Sequence, residues 1–283
     1  MILKEVLVLG TDFLAKKGVE TPRLDCELIF AHALGMKRLD LYTRYDMPME
    51  EKDLVSLRKV LSRRVSGEPV AYIVGEKAFY GMQFCVGPGV LVPRPDTEVL
   101  VDEVLRFLQG MQSATVLDMC SGSGAIALAI AKNMADISVT AIELDETAFG
   151  FCRKNVQKTG LDNRVKCLRG DLFQPIDSKT CFDVIVSNPP YIRKGDWDGL
   201  PAEVRAEPGI ALLGGADGMD IIRRIVDGAS SRLNPRGMLC IEIGDRTQAE
   251  TLTAMLNSSG FQSCRVLNDL GHNPRAVSAI KRG

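Results

Sequence analysis

Histidine, tryptophan and an excess of charge of either sign are scarce in this 283-residue chain, which has two histidines, one tryptophan and a formal net charge of −1. Neither His32 nor His272 has a partner at a metal-binding spacing, so no zinc centre is expected. The near-neutral balance leaves no whole-molecule field to attract nucleic acid. No apolar run approaches the ~20 residues of a membrane-spanning helix. The opening Met1-Ile2-Leu3-Lys4-Glu5 lacks the basic segment and small-residue cleavage site of a secretory signal, and a cytoplasmic location is expected. None of the eight cysteines (Cys26, Cys85, Cys120, Cys152, Cys167, Cys181, Cys240, Cys264) forms a C-x-x-C pair, which favours reduced core thiols over disulfides. Two nucleotide signatures are also missing. There is no G-K-[ST] phosphate loop, and the glycines near residue 122 do not complete G-x-G-x-x-G.

What remains is an ordinary globular composition, 46% hydrophobic and 25% charged, long enough for two domains. Residues 1–75 read as a helical domain. Thr21-Pro22 is a helix start, Leu24, Leu28, Ile29 and Leu34 recur at helical spacing, and Gly35 is placed to end the segment. Pro48 precedes a further helix with a Leu54, Leu57, Leu61 face. The basic cluster Arg58, Lys59, Arg63 and Arg64 falls near that helix's end and is read as complementing its dipole. From Tyr72 to Val92 the chain is rich in Val, Ile, Phe and Tyr and punctuated by glycines, a hairpin signature, so residues 76–93 are expected to be a β-hairpin connector.

Residues 94–283 alternate strands and helices. Strands are expected at 115–119, 139–143, 165–168, 182–187 and 238–243, and helices at 96–108, 125–133, 147–158, 219–233 and 247–259. A final antiparallel pair, 262–267 with 276–280, closes one edge. The fold class is α/β, a Rossmann-like doubly wound, mostly parallel sheet with an antiparallel edge hairpin.

Asn188-Pro189-Pro190-Tyr191 follows an apolar strand and carries the chemistry. An amide or exocyclic amino nitrogen is a poor nucleophile because its lone pair is delocalised. A site that accepts hydrogen bonds from both of its N–H groups orients it and stabilises the charge it gains. The Asn188 carboxamide supplies one acceptor and the Pro189 carbonyl a second, on a segment stiffened by two prolines. Tyr191 offers a flat face for a planar group. Upstream, Asp118-Met119-Cys120-Ser121-Gly122-Ser123-Gly124 is a strand end, glycine turn and helix start. Its D-x-x-x-G-x-G spacing resembles the first motif of S-adenosylmethionine-dependent methyltransferases, with Cys120 where a further glycine is common. Glu143 ends the next strand, 25 residues after Asp118, where a carboxylate can accept from ribose hydroxyls. Asp171-Leu172 follows the third strand.

Taken together, these segments resemble the PrmC/HemK family of release-factor glutamine methyltransferases. The match extends to Glu68-Pro69-Val70-Ala71-Tyr72, Leu91-Val92-Pro93-Arg94-Pro95-Asp96-Thr97-Glu98, Glu207-Pro208, Ala211-Leu212, Gly214-Gly215, Gly218-Met219, Glu242-Ile243-Gly244 with Gln248, and Asp269-Leu270 with Arg275. The resemblance implies methyl transfer from S-adenosylmethionine to the glutamine nitrogen of a Gly-Gly-Gln loop in peptide chain release factors, by direct displacement and without metal, nucleic acid or membrane. It assigns adenine contacts to Asp171 and Leu172, substrate-protein contacts to the helical domain and hairpin, and a border of the donor pocket to Arg94 and Glu98, for which an Arg–Glu pair is an equal reading.

Three alternatives stand beside it. A sister group methylates a glutamine of a large-subunit ribosomal protein, but usually has PRSP where this chain has Pro93-Arg94-Pro95-Asp96. Adenine-amino DNA methylation uses a similar motif, yet residues 1–75 carry 12 basic against 11 acidic residues and give no electrostatic footprint. A non-catalytic adaptor would not need Asp118, Glu143 and residues 188–191 all kept.

Overall fold

Apolar residues at i, i+3, i+4 and i+11, with a glycine at i+7, place Leu3, Val6, Leu7, Gly10 and Leu14 on one buried face of the helix Leu3–Lys16. The computed structural model describes residues 1–269 and 271–283; Leu270, part of the Asp269-Leu270 match, lies outside them. The chain divides into two units, residues 1–76 with 201–206, and residues 77–200 with 207–283. Among the described residues no helix is long and apolar enough to cross a membrane.

In the first unit, Gly10 lets the helix Pro22–Ala33 approach: a Cβ there would lie 2.8 Å from Cys26 Sγ and from the Phe30 ring. Pro22 opens that helix, but the Thr21 hydroxyl donates to Asp25 Oδ1 at 2.7 Å instead of capping the backbone. The expected leucine face is also different. Leu24 is 40% exposed, whereas Ile29 is buried as expected and Cys26 and Phe30 join it in the core beside buried Asp25 and Glu27. Buried carboxylates persist only when paired. Arg64 bonds Asp25 at 2.7 Å, and Arg23, Arg38 and the Tyr42 hydroxyl surround Glu27. On Glu51–Val65, Leu57 and Leu61 are buried as expected. The basic cluster on this helix does more than complement a dipole, because Arg58 pairs with Glu51, Arg63 with Glu68, and Arg64 with Asp25 and Glu203.

The hairpin is shorter than its composition suggests. Val70–Val74 is helical, entered from Pro69 and ended by Gly75 at φ +81°. Only β1 (Glu76–Phe79) and β2 (Met82–Cys85) pair, across Tyr80 and Gly81, both at positive φ as a tight hairpin turn requires. Residues 86–93 carry no strand.

The second unit is built on β3 (Ala114–Met119), β4 (Ile137–Glu143), β5 (Val165–Arg169), β6 (Phe182–Ser187), β7 (Leu233–Glu242), β8 (Phe261–Asn268) and β9 (Pro274–Lys281), in the order β5-β4-β3-β6-β7-β9-β8. The first five run parallel, and β9 pairs antiparallel with both β7 and β8. Strand order reverses between β3 and β6, which creates the crevice in which such sheets bind ligands. The helices Glu98–Leu108, Ala125–Asn133, Glu146–Thr159, Asp220–Arg232 and Arg246–Ser258 accompany the sheet. Most boundaries shift by one or two residues. The 3-10 turn Pro95–Thr97 precedes the helix from Glu98. β7 begins at Leu233, not 238: Leu233 pairs with Phe182, and the register then jumps to Met238 opposite Val184, leaving Asn234-Pro235-Arg236-Gly237 as a bulge. All eight cysteines are free.

Candidate active site

The carboxyl ends of four neighbouring parallel strands converge on one cavity. β3 delivers Cys120, Ser121 and Gly122, and β4 delivers Glu143. Asp171 and Leu172 follow β5, and Asn188 and Pro190 follow β6. Asp118, Gly124, Pro189 and Tyr191 are not among the lining residues. Arg94 and Glu98 also stand outside the lining, whereas their neighbours Pro93 and Thr97 belong to it. Arg94 pairs with Glu207, whose carboxylate also accepts from the Val92 N–H at 2.8 Å. Glu98 accepts from the Tyr80 N–H at 2.7 Å. Both charges hold loops, although not as a pair with each other.

The glycine turn is bound to the sheet by carboxylates. Glu143 accepts from the Gly122 N–H at 2.8 Å and from the Asp145 N–H at 2.9 Å, one bond to each oxygen. Each oxygen keeps a further lone pair. Burial holds the Glu143 carboxyl above the usual carboxylate range, against those two bonds. Asp118 is wholly buried; its Oδ2 accepts from the Ala127 N–H at 3.1 Å and its Oδ1 has no partner. Burial raises the Asp118 carboxyl well above its ordinary value, and the charge of Glu143 adds to this. The Ser121 hydroxyl, on the cavity wall, is likewise buried without a partner. Gly122 (φ +53°) and Gly124 (φ +79°) occupy backbone conformations that glycine favours, and Gly124 also packs where a Cβ would lie 2.9 Å from Cys152 Sγ. Two orphaned polar atoms, buried carboxyl groups and a glycine cradle suit a polar ligand.

The segment 188–191 is held from several sides. The Ile192 N–H bonds the Leu212 carbonyl at 2.8 Å and the Gly214 N–H bonds the Ile192 carbonyl at 2.9 Å. Gln248 Nε2 donates to the Tyr191 carbonyl at 2.9 Å, while its Oε1 accepts from the Gly244 N–H at 2.8 Å. Gly214 lies where a Cβ would strike the Pro190 carbonyl, and Gly218 where one would strike the Tyr191 carbonyl. Tyr191 itself packs against the sheet core, and its hydroxyl donates to Glu242 Oε1 at 3.2 Å. Burial and the Glu242 carboxylate raise its phenol above the usual range. Asn188 Nδ2 donates to Thr97 Oγ1 at 3.2 Å.

Several cavity residues were not singled out from the sequence. Arg224 pairs with Asp171 at 2.7 Å, and Ile210 is 54% exposed on the wall. The signal for Ile210 was available, because it lies inside the 207–212 stretch. Arg224 had none, being one charge among several on an amphipathic helix.

Two family models match the chain, "PrmC N-terminal domain" over residues 5–75 and "Methyltransferase small domain" over residues 95–200. A release factor glutamine methyltransferase of Rhodopirellula baltica is 42% identical over 96% of this chain and 93% of its own length. One from Geobacter sulfurreducens is 42% identical over 97% of this chain and 95% of its own. The solved structure of a methyltransferase from Pyrococcus furiosus shares the fold, with a TM-score of 0.53 at 20% identity over 81% of this chain and 100% of that one. On the strength of these full-length matches, the chain belongs to the family of release factor glutamine methyltransferases.

Proposed function

We propose that this protein methylates the side-chain amide nitrogen of the glutamine in the Gly-Gly-Gln loop of peptide chain release factors, with S-adenosylmethionine as methyl donor. The observation that carries the reading is Asn188, at the end of β6 and on the wall of the cavity, with its Nδ2 already engaged by Thr97. That bond leaves Oδ1 as the acceptor for an incoming N–H. The Pro189 carbonyl is the second acceptor in this reading. Two fixed acceptors hold the amide in the orientation its lone pair needs and stabilise the positive charge it develops.

The donor would be held by the glycine turn 120–124, by Ser121, by Glu143 through its remaining lone pairs, and by Asp171 and Leu172. Bound there, S-adenosylmethionine supplies an electrophilic methyl group on a sulfonium. Asp118, below the turn, would anchor the helix start through the Ala127 N–H. No residue of this chain needs to become covalently modified. A cytoplasmic location goes with this substrate.

The test is transfer of labelled methyl to three acceptors: purified release factor, the same factor with its loop glutamine replaced by asparagine, and an adenine-containing DNA duplex. Only the first should be labelled. Labelling of the DNA, or equal labelling of both release factors, would overturn the reading.

A further inference from the structure

Cys152 and Cys167 bring their sulfurs within 3.3 Å of each other. Cys152 lies on the helix Glu146–Thr159 and is wholly buried. Cys167 lies on β5, the outermost strand on its side of the sheet among the described residues, and is only partly buried. A disulfide holds its sulfurs about 2.05 Å apart, so this pair has to close by only about 1.2 Å.

Both elements carry the cavity wall. Ala148, one turn before Cys152, lines the cavity, as do Leu144 and Asp145 ahead of the helix. A Cβ on Gly124 would lie 2.9 Å from Cys152 Sγ, so that sulfur packs against the glycine turn. Asn155, one turn further on, donates to the Ser123 carbonyl at 2.9 Å. On the other flank, Gly170 and Asp171 lead from the end of β5 onto the cavity wall. The Cys152 thiol donates to the Cys167 sulfur and so holds Cys167 below the ordinary thiol range, against its partial burial, with the charge of Arg153 adding to this. A thiolate that solvent reaches is the form that reacts with oxidants.

We propose that Cys152 and Cys167 are a redox modification site, forming a reversible disulfide under hydrogen peroxide that weakens methyl-donor binding. This rests on the reading that the cavity takes S-adenosylmethionine. The Cys167 thiolate attacks one peroxide oxygen, the O–O bond breaks and hydroxide leaves, giving a sulfenic acid at Cys167. The Cys152 sulfur then attacks the Cys167 sulfur. The S–O bond breaks, and the departing hydroxide takes the Cys152 proton as water. In total the two thiols give up two electrons and two protons, and the peroxide becomes two waters. Burial keeps Cys152 from the oxidant and leaves it to resolve the sulfenic acid. Closure draws the Cys152 sulfur off Gly124 and ties the helix to β5. The glycine turn loses a packing partner, and the strand that leads to Asp171 is pulled inward.

The test treats the full-length protein with hydrogen peroxide and maps linked peptides by mass spectrometry without reduction. Calorimetry reads the Kd for S-adenosylmethionine before treatment, after it, and after dithiothreitol. A peptide pair joined through Cys152 and Cys167, two hydrogens lighter than the free peptides together, should form. Donor Kd should rise about tenfold or more and return on reduction. Cys167→Ser should match reduced wild type within about twofold and show no shift on treatment. Cys152→Ser should be equally indifferent to peroxide, judged against its own reduced value. Absence of the link after exhaustive treatment, a linked protein whose Kd stays within about twofold, or an equal shift in Cys167→Ser would overturn the proposal. If Cys152→Ser does not fold, Cys167→Ser decides. A reduced wild-type protein that binds no S-adenosylmethionine defeats the donor reading and the switch with it, whereas a linked protein that binds it unchanged defeats the switch alone.

Discussion

Cys120 adopts φ +56°, a left-handed conformation that usually calls for glycine, at the head of a turn where Gly122 and Gly124 are left-handed as well. Leu172, across the cavity, is at φ +48°. Such backbone persists where surrounding contacts over-determine it, and here Glu143 supplies one of them, to the Gly122 N–H. Replacing Glu143 by alanine should therefore weaken S-adenosylmethionine binding through a lost ribose acceptor and a loosened Gly122. The expected cost is about 1.5–3 kcal/mol, read by calorimetry. Unchanged donor affinity would confine Glu143 to a loop-fixing role. Glu242 gives a second expectation at this scale. Burial pushes its carboxyl from 4.5 up to about 7, with Asp96 raising it and Thr97, Tyr191 and Arg275 lowering it. A folded-state value above the ordinary one means that the folded protein holds this proton more tightly than the unfolded chain does. Acidification between about 7 and 4.5 thus favours the fold at this residue. Because the Glu242 carboxylate accepts from the Tyr191 hydroxyl beside Asn188, kcat should fall as pH drops through about 7, and this limb should disappear in Glu242→Gln. A limb that survives the substitution would assign it to another group.

Among the elements, the stretch after β6 shows why glycines recur around the 188–191 segment. A Cβ on Gly218, already at φ +78°, would overlap the Tyr191 carbonyl and the Gln248 amide that bonds it. Gly218→Ala should lose about 1–3 kcal/mol of stability in denaturant titration, and kcat should fall with it while donor affinity changes little. A variant of wild-type stability would mean that the clamp yields without cost. The parallel strands and their helices were legible because buried strands read as short apolar runs and their ends are punctuated by Asp118, Glu143, Asp171 and Asn188. The misread elements failed for local reasons. The short helix Val70–Val74 is rich in β-branched residues and resembles strand by composition, but Pro69 and Gly75 bound it as a helix. Asn234-Pro235-Arg236-Gly237 has turn chemistry yet forms a bulge within β7. Leu24 lost its core position to Asp25 and Glu27, whose partners Arg64, Arg38 and Tyr42 are distant in sequence and invisible to helical periodicity.

For the whole molecule, the chain's division is less simple than a cut near residue 76. Residues 201–206 return to the helical unit, where Arg64 bonds Glu203 at 2.5 Å and Gly67 packs against Ala202. A fragment beginning near Glu76 should therefore bind S-adenosylmethionine yet methylate release factor very poorly, and its 201–206 segment should become protease-sensitive. A folded fragment with full-length efficiency on intact release factor would remove the helical unit from substrate recognition. The lining residues at the ends of β3, β4 and β6 were legible from residue spacing, and Asp171 and Leu172 from the family resemblance. The cavity's supports were not, since the roles of Gln248, Arg224, Thr97 and Glu242 depend on contacts that only the fold brings together. Asn188 is where sequence and fold meet. The most direct measurement is mass spectrometry of the glutamine-containing peptide from release factor incubated with S-adenosylmethionine and either the wild-type protein or Asn188→Ala. The wild-type protein should add the mass of one methylene to the loop glutamine and nowhere else. The variant should be slower by about 10²–10³ with donor affinity nearly unchanged. Methylation at another residue, or an Asn188→Ala that loses donor binding in step with activity, would contradict the account.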